Sequence, residues 1–169
     1  VGEDDNAERI STGLSSGIMR SLERTLGKES YPVLETFVED IVSASSIIVR
    51  GEGEAESYSA LLKESIEKFY PEKKIIWNPQ GEEEADLCLA VSITGKEKLT
   101  MDSISRVVFA GGKADVISAN PQSLISKAAT NAIQVSDELF FKGDEHILGK
   151  FSILAVIEIL TVLMGKDKV

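Results

Sequence analysis

Ala85-Asp-Leu-Cys-Leu-Ala-Val-Ser-Ile-Thr-Gly-Lys-Glu97 reads as a buried strand that runs into a short loop of hydroxyls and glycine, and then into a helix. Residues 86–92 are almost wholly apolar, which suits a strand covered on both faces rather than one with a wet side. Ser92, Thr94 and Gly95 follow at once, and Lys96 comes next. In a strand-loop-helix unit this order turns free backbone N–H groups and two hydroxyls toward one point beyond the carboxyl end of the strand. The positive end of the following helix faces the same point, so an anionic ester is held well there. Ser, Thr and Gly are also ordinary turn residues, so the loop alone leaves a plain structural reading open.

The same alternation extends in both directions. Short β-branched or apolar runs at 46–50, 74–77, 114–118 and 131–135 predict four more strands. Helical spacing predicts helices near 55–69, 100–110 and 122–129, with the Gly111-Gly112 pair and Asn120-Pro121 as stops. A long apolar helix is expected over 146–164. Upstream, Ile10, Leu14, Ile18 and Leu22 mark one face of a helix over 6–26, and Pro32 opens a second.

Strands that alternate with helices imply a three-layer α-β-α doubly wound sandwich around a five-stranded parallel sheet, an α/β fold of flavodoxin-like type with extra N-terminal helices. We expect one domain over 1–169: N-terminal helices in 1–44, the sheet core in 45–137 and the last helix in 143–165. Ligands in such folds collect where strand order reverses, beyond the carboxyl ends of the strands. Gly51-Glu52-Gly53 and Ser92-Ile93-Thr94 both fall at such ends.

Composition narrows the function. A net charge of −10 over 169 residues offers no basic stripe for nucleic acid and no attraction to an anionic membrane surface. The apolar run 151–164 contains Glu158 and is shorter than the about 20 residues that a bilayer requires. Cys88 is the one cysteine and sits mid-strand, so it reads as a small buried hydrophobe and no disulfide is expected. These features suggest a cytoplasmic protein.

Gly51-Glu-Gly53-Glu-Ala-Glu56 lacks the third glycine of a dinucleotide fingerprint, and its three glutamates would repel a pyrophosphate. It reads either as a tight turn that lets a sugar approach, with Glu52 accepting hydroxyl protons, or as a solvated acidic helix start. His146 is the single histidine, which excludes a His-pair metal site; no metal and no cofactor are expected. Flanked by Asp144 and Glu145, it is a candidate acid or base near neutral pH. The final helix is apolar nearly all round. It is expected either to meet a second subunit, giving a homodimer or homotetramer, or to lie between the sheet and the N-terminal helices.

With these elements in place, the chain resembles the SIS (sugar isomerase) domains, and most of all the 6-phospho-3-hexuloisomerase and phosphoheptose-isomerase-like branch. Three segments carry the resemblance: Ile48-Val-Arg-Gly-Glu-Gly53, Ser92-Ile-Thr-Gly-Lys-Glu97 and Val116-Ile-Ser-Ala-Asn-Pro-Gln-Ser-Leu124. It implies an aldose–ketose isomerase that works through an enediol, or a protein that binds a sugar phosphate. It implies Ser92 and Thr94 as phosphate ligands, with Gly51, Gly53, Gly95 and Lys96 around them, and a neighbouring subunit that completes the site. Glu52, Glu145 and His146 are the candidate bases.

The chain also departs from the family pattern. Ala55 stands where a serine is usual, with Ser57 two residues on. Glu97 replaces the loop threonine, and Lys150 falls about where the catalytic acid is expected. These departures imply the alternative of a non-catalytic sugar-phosphate sensor or scaffold.

Overall fold

A computed structural model describes residues 6–135 and 149–169. The chain order is α1 (Ala7–Thr25), α2 (Ser30–Ser43), β1 (Ser46–Arg50), a 3-10 turn (Gly53–Ala55), α3 (Glu56–Phe69) and β2 (Lys74–Trp77), followed by β3 (Leu87–Ser92), α4 (Lys98–Phe109), β4 (Lys113–Ser118), α5 (Leu124–Ala128), β5 (Asn131–Gln134) and α6 (Gly149–Asp167). Asn6 caps α1 by accepting the Arg9 amide at 3.0 Å. Pro32 lies in the first turn of α2, where its missing N–H has no helical partner to lose.

All five strands pair in parallel, in the order β2-β1-β3-β4-β5. Every residue of β3 is buried, as a strand covered on both faces requires. Strand order reverses between β1 and β3, so the loops after those two strands flank the switch point. This is the α-β-α doubly wound architecture that the alternating pattern predicts.

Side chains alternate between the two faces along each strand. Ile47 and Val49 point into a cluster with Leu34 and Phe37 of α2, Leu62 and Ile66 of α3, and Val156 and Leu160 of α6. Ile48, Cys88 and Val116 point the other way, toward Ile104 and Val107 of α4 and Ile125 of α5. Cys88 is fully buried, and burial pushes its thiol up to about 12, so it is an inert core residue.

Helix α6 packs against α1, α2 and α3. That position accounts for much of its all-round hydrophobicity, since Ile153, Val156, Leu160 and Met164 are buried. The Ser21 and Ser152 hydroxyls bond each other at 2.7 Å and register α1 on α6. Phe151, Leu154 and Val162 remain exposed.

One polar cluster interrupts this side of the sheet. Asp115 of β4 is fully buried, its Oδ1 accepts from Asn131 at 2.9 Å, and its Oδ2 has no partner. Asp40 of α2 is the neighbouring acid, held by Lys113 at 3.0 Å. Burial, and then the nearby Asp40 carboxyl, pushes Asp115 up to about 8.

A folded-state value above the unfolded one means that the protonated acid favours folding. The unfolded chain gains by ionising from about pH 4. This contribution is therefore present at low pH and is lost as pH rises toward 8. Asp115→Asn cannot ionise, so it should melt higher than the native chain at pH 8 to 9 and lose less stability between pH 5 and 9. Thermal melts across that range test this. An unchanged pH profile would contradict the assignment.

Candidate functional site

Loop 92–97 has the form that the sequence predicts, and its donors converge. They converge on Glu97. The Glu97 carboxylate accepts the Ser92 hydroxyl at 2.7 Å and the amides of Ile93, Thr94 and Gly95 at 3.1, 3.2 and 3.0 Å. Burial would raise this carboxyl. The hydrogen bonds from Ser92 and the loop amides outweigh it and hold the group below the usual carboxylate range.

The loop is rigidly shaped around this carboxylate. Gly95 has φ +78°, in the left-handed region. A Cβ at Gly95 would collide with the Ser123 side chain. Asn120 holds the Thr94 carbonyl at 3.0 Å, and the Thr94 hydroxyl accepts the Lys96 amide at 3.1 Å. The Thr94 hydroxyl is thus used in its own turn, and Lys96 is exposed.

A second carboxylate serves the start of α4. Glu52, from the loop after β1, accepts both the amide and the hydroxyl of Thr100, the latter at 2.9 Å. A helix start beside a hydroxyl loop is an anion site by its dipole and free amides. Here Glu52 occupies the helix start and Glu97 the loop before it.

The loop after β1 is equally constrained. A Cβ on Gly51 would strike the Ala55 carbonyl and stand 2.8 Å from the Ser59 hydroxyl. The Gly51 amide donates to Asn78 Oδ1 at 2.9 Å, and Asn78 itself has φ 44°. Gly53, at φ +59°, begins the 3-10 turn with open space beside it. Ser57 is exposed in the first turn of α3.

A cavity of about 470 Å³ opens beside this loop, lined by Arg50, Glu52, Glu56, Trp77, Asn78 and Leu99 among others. Gly51, Glu52 and Gly53 line this cavity, whereas Ser92, Thr94 and Gly95 belong to the loop after the neighbouring strand β3 and do not; Glu52 ties the two sides together through Thr100 of α4. Ser57 and Lys96 are exposed and do not line the cavity. Glu145 and His146 lie outside the described residues. Lys150 is exposed in the first turn of α6.

Sequence reading did not single out Asn78, Trp77, Thr100 or Arg50. Asn78 carried a faint signal as the polar residue closing a strand before Pro79. Arg50 carried a clearer one, as a charge at the end of an otherwise apolar strand. Among the described residues no cluster of three or more His, Cys, Asp or Glu could hold a metal. No described helix is long and apolar enough to cross a membrane.

The fold is similar to that of solved sugar isomerase domains. It superposes on the sugar isomerase domain of an RpiR transcription factor from Sphaerobacter thermophilus with a TM-score of 0.78, at 14% identity, over 95% of this chain and 92% of that one. A Methanococcus jannaschii protein with an inferred function of 3-hexulose-6-phosphate isomerase matches at TM-score 0.71 and 12% identity, covering 94% and 90%. The Vibrio vulnificus NanR protein, complexed with ManNAc-6P, matches at 0.73 and 17% identity over 98% of this chain and 64% of its own. No family model matches the sequence, and no curated protein matches it either. At these identities the likeness shows a shared fold.

Proposed function

We propose that this chain binds a small anionic sugar derivative, in the class of sugar phosphates, and does not isomerise it. The observation that carries the second half of this reading, a loop that has lost the family's way of holding a substrate phosphate, is the Glu97 carboxylate bound by three loop amides and the Ser92 hydroxyl. A phosphate dianion and this carboxylate cannot share those donors. Two like charges at contact repel strongly, more so away from bulk water.

Isomerisation through an enediol further requires a free base beside the sugar carbons and donors for the enediolate. Glu52, the candidate base in the described residues, is engaged by Thr100. Binding is supported by the cavity at the strand ends and by the fold shared with a protein complexed with ManNAc-6P.

Titration with hexulose and heptulose phosphates, followed by NMR of the ligand, tests the proposal. The expected result is saturable binding with no aldose–ketose conversion and no exchange of the carbon-bound proton with solvent. Turnover would restore the isomerase reading. A homo-oligomer built through the exposed face of α6 (Phe151, Leu154, Val162) belongs to the same proposal. Sedimentation should show a species of at least twice the chain mass, and a monomer would remove it.

A further inference from the structure

Arg50 ends β1 and is 2% exposed, yet its buried Nε has no hydrogen-bond partner. A guanidinium Nε taken out of water without a partner is costly, and native structures rarely tolerate one without a reason. Glu52, Asp102 and Glu83 act on it through space, but among the described residues none forms an ion pair with it. Arg50 also lines the cavity at the ends of β1 and β2.

The rest of that wall suits a polyol. Trp77 is 37% exposed and anchored through its ring nitrogen to the Ser59 hydroxyl at 3.1 Å, so its ring is a fixed apolar surface. Asn78 and Gln80 offer amides, and Glu56 offers an acceptor for hydroxyl protons.

Building on the binding reading above, we infer that Arg50 is the anion anchor of this site: a carboxylate- or phosphate-bearing polyol enters the cavity and sets its acidic group on the guanidinium. Loop 92–97 keeps its own carboxylate, so recognition of the ligand's charge has passed from the β3 loop to the end of β1. A guanidinium suits this task because it pairs with carboxylate or phosphate oxygens in a two-pronged geometry. Glu52 and Glu56 share the cavity, so a monoanion meets less repulsion there than a dianion.

Calorimetric titration of the full chain with gluconate, glucose 6-phosphate and neutral glucose tests this. We expect both anionic ligands to bind measurably better than glucose, and their order identifies the natural anion. Arg50→Gln should weaken the better anion at least tenfold, a far larger factor than any change in the weak affinity for glucose. Arg50→Lys, which keeps the charge and loses the fork, should fall between the two and serves if the Gln variant does not fold. Native-like affinity for the anion in either variant would overturn the assignment of Arg50 while leaving the binding function standing. Failure of the native chain to bind any anionic polyol, in this panel and among the hexulose and heptulose phosphates, would instead remove the binding function itself.

Discussion

Glu97→Ala should lower the melting temperature in phosphate-free buffer and should make the protein respond to inorganic phosphate. The substitution strips the amides of Ile93, Thr94 and Gly95 and the Ser92 hydroxyl of their common acceptor. Ser92 and Ile93 are buried, whereas Thr94 is exposed and can turn to water. With a hydrogen bond to a charged group worth about 1.5 to 3 kcal/mol and water recovering part of the loss, the net cost is about 3 kcal/mol. For a chain of this size that is a fall of roughly 6 to 12 °C.

The vacated loop donors form an oxyanion cradle just before α4. Phosphate at a hundred times its dissociation constant would return about 2.7 kcal/mol, most of the lost stability. The gain on adding phosphate should be much larger in the variant than in the native chain. If the variant melts low and ignores phosphate, the loop is a structural turn and not an anion cradle.

The pH dependence has the opposite sign to that of Asp115. The folded-state value of Glu97 is depressed, so its contribution is full above the unfolded carboxyl value, about 4.3. It is lost as pH falls through the folded value. Acid unfolding should therefore begin at higher pH in a chain with a normally titrating carboxyl at this position than in the native one.

The second large effect is Gly95→Ala, and its informative comparison is Gly53→Ala. Both glycines have left-handed backbone, φ +78° and +59°. Either substitution costs about 1 to 2 kcal/mol from that conformation alone. At Gly53 nothing lies within 4 Å of an added Cβ, so the cost should stop there. At Gly95 the methyl would meet Ser123, which opens α5 and whose hydroxyl accepts the Ser126 amide at 3.1 Å.

Overpacking adds about 1 to 3 kcal/mol. We expect a melting loss roughly twice as large for Gly95→Ala as for Gly53→Ala. Equal losses would mean that the α5 contact yields freely and does not hold the loop in shape.

The fold was legible because its signals are local and repeated. β3 is apolar at nearly every position, which by itself calls for cover on both faces. The runs at β1, β2 and β4 are short, β-branched and closed by glycine or by Asn-Pro. Gly51 and Gly95 were legible as turn residues at strand ends for the same reason. The greasy surface of α6 was ambiguous in sequence, because burial between the sheet and α1 requires the same residues that a subunit interface would.

The site was legible in its position and not in its occupancy. The chain order Ser92-Ile-Thr-Gly-Lys-Glu97 identifies a loop whose amides converge, and the replacement of a threonine by Glu97 signals a departure. Whether that carboxylate turns outward or folds back over the loop depends on the backbone path around Gly95, which Ser123 and Asn120 fix from 25 or more residues away. Glu52 and Thr100 lie 48 residues apart, and only the parallel pairing of β1 with β3 brings them together.

Arg50 shows the same division. Sequence gives a charged residue at the end of a buried strand, but its isolation depends on where Glu52, Glu83 and Asp102 finally stand. Periodicity and turn chemistry, which act over a few residues, determined the sheet, its helices and the place of the loops. Tertiary structure decided which charges meet, because electrostatic and hydrogen-bond partners are chosen by distance in space and not along the chain.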